Sequence, residues 1–424
     1  MSSLKIAVIG LGYVGLPLSS LLARSFEVIG FDVDKAKIIR INSGDTPINE
    51  PGLHELLSSA LKRGSLTVTD NRTSIKEAKI KIITVGTPYD ENSDFVNYSQ
   101  LEDSIKIILP NLNHGDVVML KSTVPPGTTM GLVKNQIESA GFKVPDDIGL
   151  VFSPERMIEG QAVRDFQTLP KIIGASDARS ISIAEEILRT LGGKIIRVSK
   201  PETAETIKMV DNYSRYVFIG LANELALVSE KIGVDVLEVI RSAKDEYPRN
   251  AGLLLPGPGV GGSCLNKDPF ILRGVVRKLG IDMQMVKSAE IINSGMPMHI
   301  VEMVTNLRES GNITLLGVAF KGDTDDTRYT PSFKIRDSLM EKKYKVTLTD
   351  PFVPGDDVHK DFYEACRESN ILVLLTDHSE YKRIDLQRLR SIMVSNPLII
   401  DSRGLILRED AVRNGFEYHG VGRL

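Results

Sequence analysis

The chain has 424 residues, of which 42% are hydrophobic and 25% are charged, so length and composition predict a globular protein of two or three domains. The formal net charge of −3 argues against binding to nucleic acid or to an anionic membrane surface, and no apolar run approaches the roughly 20 residues that span a bilayer. The two cysteines make no disulfide framework and the six histidines do not fall at metal-ligand spacing, which predicts a cytoplasmic protein without a metal site.

The first elements of the chain predict a dinucleotide-binding turn. The apolar run Leu4–Ile9 is typical of a buried parallel strand, and a helical pattern covers Leu16–Arg24. Between them, Gly10, Gly12 and Gly15 have the G-x-G-x-x-G spacing. In this motif the first glycine makes the turn, the second admits the pyrophosphate and the third allows close helix packing. The alternative is a tight strand–helix turn without a ligand.

An acidic residue completes this pattern. Asp32 follows the predicted strand Glu27–Phe31, about 20 residues after Gly10, where an acid accepts hydrogen bonds from the adenosine ribose and repels a 2′-phosphate. This favours NAD over NADP as the cofactor. The neighbouring residues assigned to the same cofactor site are Tyr13, Val14 and Lys37.

The alternation of strands and helices continues with four further predicted strands, of which the first three end in turns rich in Ser, Thr, Gly and Pro. The strands are predicted over Ile80–Val85, Val117–Lys121, Ile148–Phe152 and Lys194–Val198. Ligands bind at the carboxyl ends of parallel strands, so Thr87, Thr123 and Glu155 are candidates to line the nicotinamide side. Helix capping is the alternative role for the two hydroxyls. If the segment after Glu155 is helical, Glu155 and Glu159 share one face, either as acid–base groups or as solvated charges.

A long helix is predicted to start near Pro201, where Ser199 to Glu202 has capping-box spacing. Its buried stripe is predicted to contain Ile207, Val210, Ser214, Val217, Leu221, Leu225 and Val228. Lys208 and Asn212 lie one turn apart beside that stripe. They either point together at a ligand atom, such as a developing oxyanion, or form a solvent-facing edge.

The Gly- and Pro-rich loop Leu255–Pro269 carries the candidate nucleophile Cys264. The alternative for Cys264 is a small buried thiol after a structural turn. A second long helix is predicted from about Met283 to Glu309, with a kink or a break at Pro297. Helices of this kind often bury a subunit interface, so we expect a homodimer through the central helical region.

The last part of the chain predicts a second parallel sheet without a complete glycine fingerprint. Its strands are predicted over Ile313–Ala319, Lys345–Thr349, Asn370–Thr376 and Leu398–Asp401. Lys321, Arg328 and Arg403 lie at strand ends or in the adjoining loops, where they either grip a diphosphate or are solvated charges. Cys366 falls in a helical segment and is expected to be inert.

The predicted fold is therefore α/β, with two Rossmann-like doubly wound domains joined by an all-helical central domain with a long connecting helix. The predicted boundaries are 1–200 for the NAD-binding domain, 201–296 for the central domain and 297–424 for the C-terminal domain.

Taken together, the motifs resemble those of the UDP-sugar 6-dehydrogenases of the UDP-glucose/GDP-mannose dehydrogenase superfamily. The resemblance covers essentially the whole chain and rests on GLGYVGLP, GTP, KSTVPPGT, SPER…EG, K-x-x-x-N, PGPGVGGSC…KD, AFKGDTDDTR and DSRG, in that order. It implies that a UDP-sugar is oxidised at C6 from a primary alcohol to a carboxylate, with two NAD and a covalent thioester.

The resemblance also implies catalytic roles. Cys264 would attack the C6 aldehyde, Lys208 and Asn212 would hold the oxyanion and the substrate oxygen, and Asp268 would orient the hydrolytic water. Glu159, with Thr123 and a water, would accept the proton of the first oxidation. The residues implied to contact cofactor or substrate are Glu155, Arg156, Lys267, Arg249, Gly261, Lys321 and Arg328.

The loop around Cys264 bears on the choice of sugar. UDP-glucose enzymes typically read GFGGSCFPKD, whereas this chain has Val260 and Leu265-Asn266, and its PGPGVGG form resembles the N-acetylhexosamine branch. Ser263 stands where that branch often has His. The resemblance therefore favours UDP-N-acetylmannosamine or its glucosamine epimer over UDP-glucose.

Two other readings remain at this stage. A two-electron NAD-dependent alcohol dehydrogenase of the 6-phosphogluconate type leaves Cys264 and Asp268 without a role. A non-catalytic NAD-binding protein predicts the loss of Cys264, Lys208, Asn212 or Asp268, and all four are present.

Overall fold

The computed structural model describes residues 4–90, 95–245 and 252–423. It contains two compact units: unit 1 comprises Met1–Asp211 and Gly274–Gly280, and unit 2 comprises Asn212–Arg273 and Ile281–Leu424. The division falls inside a single long helix, so neither unit begins or ends at a loop there.

Unit 1 is built on an eight-stranded sheet with the strand order β10-β9-β8-β7-β4-β1-β2-β3. Its strands are β1 Lys5–Ile9, β2 Glu27–Phe31, β3 Leu66–Thr69, β4 Ile80–Ile83, β7 Val117–Leu120, β8 Gly149–Phe152, β9 Lys171–Ala175 and β10 Ile195–Arg197. A separate antiparallel pair is formed by β5 Tyr89–Asp90 and β6 Phe95–Val96. All neighbours in the large sheet are parallel except β8 and β9.

Unit 2 contains a six-stranded parallel sheet with the order β13-β12-β11-β14-β15-β16, which is the doubly wound arrangement. Its strands are β11 Asn312–Leu316, β12 Lys345–Thr349, β13 Val358–His359, β14 Ile371–Leu374, β15 Leu398–Asp401 and β16 Glu417–Gly420.

The helices are α1 Gly15–Leu22, α2 Lys35–Asn42, α3 Leu53–Lys62, α4 Ser99–Ile108, α5 Lys134–Ser139, α6 Ala162–Thr168, α7 Ala178–Arg189, α8 Pro201–Ile232, α9 Val236–Asp245, α10 Asp268–Arg277, α11 Gln284–Leu307, α12 Pro331–Glu341, α13 Phe362–Ala365, α14 Leu386–Ile392 and α15 Arg408–Arg413. Within the described ranges, no helix is long and apolar enough to cross a membrane.

Both sheets bury both faces, because neighbouring strand residues point to opposite sides. In β1, Ile6 and Val8 belong to one apolar cluster, whereas Ala7 and Ile9 belong to another. In unit 2, Ile371 and Val373 pack into one cluster while Leu372 and Leu374 pack into a second. This two-sided burial explains the continuous apolar runs of the sequence. The predicted α/β class with two Rossmann-like sheets and a helical region between them along the chain is confirmed.

The predicted buried stripe of α8 is correct only in part. Ile207 and Leu225 are partly buried against apolar clusters, but Val210, Leu221 and Val228 are 43%, 38% and 46% exposed. The fully buried residues of α8 are mostly small or polar, namely Ala204, Glu205, Lys208, Met209, Asn212, Tyr216, Ala222, Asn223, Ala226 and Ser229. Small side chains let neighbouring elements approach α8 closely, and its polar side chains bond to loops.

Of the kink or break predicted at Pro297, the break does not occur, because α11 runs through this residue from Gln284 to Leu307. The strands β3, β5, β6, β9, β13 and β16 were absent from the sequence-based prediction. Each has five residues or fewer, and β5, β6 and β13 have only two, so little period-2 pattern is available to reveal them.

Candidate active site

The fingerprint turn of unit 1 has the geometry that a pyrophosphate needs. Gly10 has φ +94° and donates its N–H to Phe31 O at 2.8 Å. A Cβ at Gly15 would lie 1.8 Å from Gly10 O, so only glycine allows α1 to pack this closely on the turn. A Cβ at Gly12 would meet no atom within 4 Å. The turn is therefore open at Gly12, and these residues fit NAD at the N-terminal end of α1.

Asp32 is held in place at the end of β2. Its Oδ2 accepts hydrogen bonds from Leu11 N at 2.8 Å and Lys37 Nζ at 2.9 Å, and its Oδ1 accepts one from Asp34 N at 3.0 Å. Burial raises the pKa of Asp32, but the hydrogen bonds from Asp34, Lys37 and Leu11 outweigh it and leave the pKa below its ordinary value. Asp32 is thus a fixed carboxylate, and Lys37 is its ionic partner.

Two predicted hydroxyl residues are brought together at the ends of β4 and β7. Thr87 Oγ1 donates a hydrogen bond to the Thr123 carbonyl. Ser122 Oγ donates to Val85 O at 2.6 Å and joins the same two loops. Thr87 therefore restrains the backbone of Thr123, whose side chain is partly buried.

A buried carboxylate that sequence reasoning missed, Glu205 on α8, holds the loop after Thr123. Its Oε2 accepts a hydrogen bond from Gly127 N at 2.5 Å, and its Oε1 accepts bonds from Thr129 N at 2.8 Å and Thr129 Oγ1 at 2.6 Å. Burial raises the pKa of Glu205. The sequence offered one signal for Glu205, an acid on α8 three residues before Lys208. Its partners are more than 70 residues away in the chain, so no local pattern predicts these bonds.

Glu155 is paired with a buried lysine that was also missed. Lys121 Nζ lies 3.3 Å from Glu155 Oε2 and donates a hydrogen bond to Ser153 O at 3.0 Å. Glu155 Oε1 accepts hydrogen bonds from Arg156 N and Met157 N. In the described part of the chain, the buried Glu155 Oε2 accepts no hydrogen bond. This oxygen is available to a ligand, with Lys121 stabilising its negative charge.

The segment that carries Glu155 and Glu159 is not helical, so the predicted shared helix face is wrong. The segment ends in a turn at Gly160, which has φ +82°. Glu50, another residue that was not predicted, accepts hydrogen bonds from Gly160 N at 2.7 Å and from Ala162 N at 2.9 Å. These bonds hold the segment as a loop. Among its side chains, Arg156 forms an ion pair at 2.9 Å with Asp211 on α8.

Lys208 and Asn212 both lie on the buried face of α8. A solvent-facing edge, the alternative left open by the sequence, is therefore wrong. Asn212 Nδ2 donates a hydrogen bond to Asp268 Oδ2 at 2.6 Å, and Asp268 is itself buried.

Cys264 is an exposed free thiol in the turn that leads into α10. Its carbonyl accepts hydrogen bonds from Asp268 N at 2.9 Å and Lys267 N at 3.3 Å, which attaches it to the first turn of the helix. Lys267 Nζ lies 4.0 Å from Asp268 Oδ1. Unit 2 thus brings Cys264, Asp268, Asn212 and Lys267 into one neighbourhood. Cys264 and Asp268 lie at the N-terminal end of α10, where the helix stabilises negative charge.

The glycines before Cys264 pack against the loop after β11. A Cβ at Gly261 would lie 2.3 Å from Phe320 Cβ, and one at Gly262 would lie 2.7 Å from the Phe320 ring. Gly262 N donates a hydrogen bond to Arg328 O at 2.8 Å. At the start of the loop, Gly257 N donates to Asn223 Oδ1 at 2.9 Å.

The predicted phosphate-binding residues differ in their settings. The Arg328 guanidinium forms an ion pair with the Asp326 carboxylate, with Nη2 at 2.5 Å from Oδ2. Arg403 Nε donates to Leu375 O at 2.8 Å, and burial lowers the pKa of Arg403. Lys321 lies in the same loop as Arg328 and is partly buried. The predicted substrate residue Arg249 lies outside the described residues.

Cys366 is buried in unit 2, and burial raises the pKa of its thiol to about 12. A thiol of this kind is protonated at neutral pH, so Cys366 is inert as expected. Among the residues that the structure describes, no cluster of three or more His, Cys, Asp or Glu side chains has a metal-binding arrangement.

Three models of one family match successive parts of the chain. The NAD binding domain of the UDP-glucose/GDP-mannose dehydrogenase family matches residues 4–192, its central domain matches 202–295, and its UDP binding domain matches 314–408.

Among curated proteins, the chain is 33% identical to a UDP-N-acetyl-D-mannosamine dehydrogenase of Pyrococcus horikoshii, with 99% of each chain covered. It is 30% identical to a UDP-glucose 6-dehydrogenase of Rhizobium meliloti, with 99% of this chain and 100% of the relative covered. The solved structure of the UDP-D-ManNAc dehydrogenase from Pyrococcus horikoshii superposes with a TM-score of 0.91 at 32% identity, covering 99% of both chains. The solved structure of the UDP-N-acetyl-mannosamine dehydrogenase from Staphylococcus aureus superposes with a TM-score of 0.86 at 31% identity. It covers 99% of this chain and 98% of the other chain.

Proposed function

This chain belongs to the UDP-glucose/GDP-mannose dehydrogenase family, and we propose that its sugar substrate is UDP-N-acetylmannosamine. It is an NAD-dependent UDP-sugar dehydrogenase. The choice of sugar is supported by the relatives of the N-acetylmannosamine type and by the PGPGVGG form of the loop before Cys264. UDP-N-acetylglucosamine and UDP-glucose are the alternative substrates.

The proposed reaction is a four-electron oxidation. One C6 alcohol, two NAD⁺ and one water give one carboxylate, two NADH and three protons. NAD supplies the acceptor for the hydride lost from C6 in each oxidation.

We propose that the Cys264 sulfur is the nucleophile, and the observation that carries this proposal is its place as an exposed thiol in the turn before α10, where the Cys264 carbonyl accepts a hydrogen bond from Asp268 N. The sulfur adds to C6 of the aldehyde and forms a C–S bond, which gives a thiohemiacetal. Loss of the C6 hydrogen with its electron pair converts this adduct into a thioester. Water then forms a C–O bond as the C–S bond breaks, and the thiol is regenerated.

We assign the polar groups of α8 to the oxyanion. Lys208 and Asn212 are buried one turn apart, and a buried donor stabilises a developing negative charge more strongly than a solvated one. The 2.6 Å hydrogen bond from Asn212 fixes the Asp268 carboxylate. Asp268 then orients the water that hydrolyses the thioester.

Unit 1 is proposed to carry the first oxidation. Thr123, on the loop fixed by Thr87, positions a water and the C6 hydroxyl, and Glu159 accepts the proton. Glu155 and Arg156 contact the substrate. The residues proposed to hold NAD are Gly10, Gly12, Tyr13, Val14, Gly15, Asp32, Lys37, Thr87, Thr123, Glu155 and Lys267.

In unit 2, Lys321, Arg328 and Arg249 are proposed to bind the UDP-sugar, with Gly261 beside the sugar. The three proposed functional domains keep the boundaries 1–200, 201–296 and 297–424. We also propose a cytoplasmic location, because a reducing compartment keeps Cys264 a free thiol.

A homodimer through α8 is proposed on the basis of its apolar outer face. Phe218, Leu221 and Val228 are partly exposed at helical spacing, and a second copy of the chain would bury them. Sedimentation velocity measures the state directly. A monomer at micromolar concentration would contradict the proposal.

The decisive experiment counts NADH per sugar for UDP-N-acetylmannosamine, UDP-N-acetylglucosamine, UDP-glucose and GDP-mannose. We expect two NADH per sugar and the highest kcat/KM for UDP-N-acetylmannosamine. Cys264→Ser should lower uronate formation by roughly 1,000-fold or more. Cys366→Ala is the matched control, because it removes the other, buried thiol, and it should keep the ratio of two.

Each part of the proposal can fail separately. A ratio of one NADH, or uronate formation by Cys264→Ser at the rate of the unmodified enzyme, would refute the thioester. A higher kcat/KM for UDP-glucose would overturn only the choice of sugar.

A further inference from the structure

The side chain of Asn266 bridges the glycine-rich loop that leads to Cys264. Its Nδ2 donates hydrogen bonds to Val260 O at 3.1 Å and to Gly262 O at 2.9 Å. Both hydrogens of the amide are thus used on carbonyls two residues apart. We propose that Asn266 is a positioning residue for Cys264, an inference that rests on the proposed role of Cys264 as the nucleophile.

The loop needs a restraint of this kind because of its glycines. Gly259 has φ +121° and Gly262 has φ +83°, and glycine loses more conformational freedom than any other residue when it is fixed. Larger residues cannot stiffen the loop, since a Cβ at Gly261 or Gly262 would collide with Phe320. Hydrogen bonds from a neighbouring side chain restrain the backbone without adding bulk against Phe320.

Asn266 connects the two segments on either side of Cys264. On the upstream side it holds Val260 and Gly262. On the downstream side it lies within the turn in which Cys264 O accepts hydrogen bonds from Lys267 N and Asp268 N. The glycine segment is thereby tied to the first turn of α10, and the position of the sulfur relative to the buried Asp268 follows from both attachments.

The effect of Asn266 is expected on the chemical step. A misplacement of about 1 Å in a reacting group can lower the rate about 100-fold. Asn266 bonds to the loop backbone, so the Michaelis constants for sugar nucleotide and NAD should change little. A misplaced sulfur adds to the C6 aldehyde slowly, and the aldehyde then survives long enough to react with an added carbonyl reagent.

The test uses Asn266→Asp, which keeps the size and removes both donors, and Asn266→Ala, which removes the side-chain amide. Ile300→Val is the control, because Ile300 is buried in α11 and its shortening lowers stability without removing either hydrogen bond of Asn266. Thermal melting, kcat, KM and NADH per sugar are measured with and without semicarbazide.

We expect kcat to fall about 10- to 100-fold in both Asn266 variants, with KM within threefold. In semicarbazide, NADH per sugar should fall from two toward one and the trapped aldehyde should be recovered. Ile300→Val should have a melting temperature comparable to that of the Asn266 variants and should still give two NADH per sugar. A merely structural role of Asn266 would lower the melting temperature without raising the trapped aldehyde above that control.

The outcomes separate this proposal from the one on which it rests. If Cys264→Ser is inactive but the Asn266 variants trap no more aldehyde than Ile300→Val, only the positioning role is overturned. If Cys264→Ser makes uronate at the normal rate, the nucleophile and the positioning role fail together.

Discussion

In both units a glycine makes the turn after the first strand. The two turns differ in the space beside their second position, which is open in unit 1 and filled in unit 2. In unit 1, Gly10 has φ +94° and its N–H donates to Phe31 O at 2.8 Å. In unit 2, Gly317 has φ +100° and its N–H donates to Thr349 O at 2.9 Å. In both units, the acid that follows the second strand accepts hydrogen bonds from the backbone of this turn.

The acids have different surroundings. Asp32 is 6% exposed, and its ionic partner Lys37 reaches it from the surface. Asp350 is 0% exposed, and its Oδ2 lies 3.0 Å from Nε2 of the buried His378. Asp323 N donates to His378 Nδ1, so Nδ1 is the acceptor and the neutral ring donates from Nε2 to Asp350. The hydrogen-bonding capacity of Asp350 is thus used inside the protein.

The second position of the fingerprint differs as well. Gly12 faces open space, whereas Ala319 occupies the corresponding place after Gly317 and is buried. Ala319 N also donates to Asp350 Oδ2 at 2.9 Å. The same local backbone therefore serves as an open dinucleotide turn in unit 1 and as a closed structural turn in unit 2. The side-chain partner of the acid also differs, since it is Lys37 for Asp32 and the buried His378 for Asp350.

The largest expected effect comes from removing the charge of each acid. Asp350→Asn should lower the free energy of unfolding by about 3 kcal/mol, because it breaks a buried network, and should leave the KM for NAD unchanged. Asp32→Asn should raise the KM for NAD about tenfold and improve the use of NADP relative to NAD. Its effect on stability should stay below about 1 kcal/mol. Urea denaturation and initial rates measure both, and equal stability losses would contradict the comparison.

The next largest effect concerns the second position of the glycine fingerprint, which is Gly12 in unit 1 and Ala319 in unit 2. Gly12→Val should raise the KM for NAD about 100-fold, because the side chain fills the space for the pyrophosphate, with little change in melting temperature. Ala319→Val is the matched change in unit 2. It should lower stability by about 1–3 kcal/mol through overpacking and leave the KM for NAD within twofold. Unchanged NAD binding by Gly12→Val would show that the turn is not the cofactor site.

The smallest effect is a pH dependence of stability that Asp350 should contribute. Burial raises the pKa of Asp350, but the hydrogen bond from His378, with backbone hydrogen bonds, outweighs it and lowers the pKa to about 2. A lowered folded-state pKa adds stability above the unfolded pKa of about 4, and this stability is lost as the pH falls toward 2. The contribution is about 2 kcal/mol. The stability difference between the unmodified protein and Asp350→Asn should therefore shrink between pH 5 and 3, whereas a constant difference would refute this assignment.

The sequence predicted the candidate site residues whose geometry depends on the local backbone. The roles predicted for Gly10 and Gly15 depend only on their own turn and on the neighbouring strands, so a short sequence motif is enough to predict them. The outward face of α8 shows the limit of this reasoning. Apolar periodicity placed Val210, Leu221 and Val228 inside, but the buried face uses small and polar residues that bond to distant loops.

The residues that sequence reasoning missed act through partners remote in the chain. Glu205 bonds to Gly127 and Thr129, and Lys121 pairs with Glu155. A charged residue in a helix or at a strand end is usually solvated, so nothing local distinguishes these from other charges.

By itself, the sequence determined the family, the α/β class, the cofactor turn and the candidacy of Cys264, because each rests on residue types at fixed short spacings. The tertiary structure decided which acid pairs with a buried side chain and which pairs with a lysine that is partly exposed. Asp32 and Asp350 both follow a second strand, and only the packing of His378 against Asp350 distinguishes them. That distinction depends on a contact 28 residues away, which local pattern does not encode.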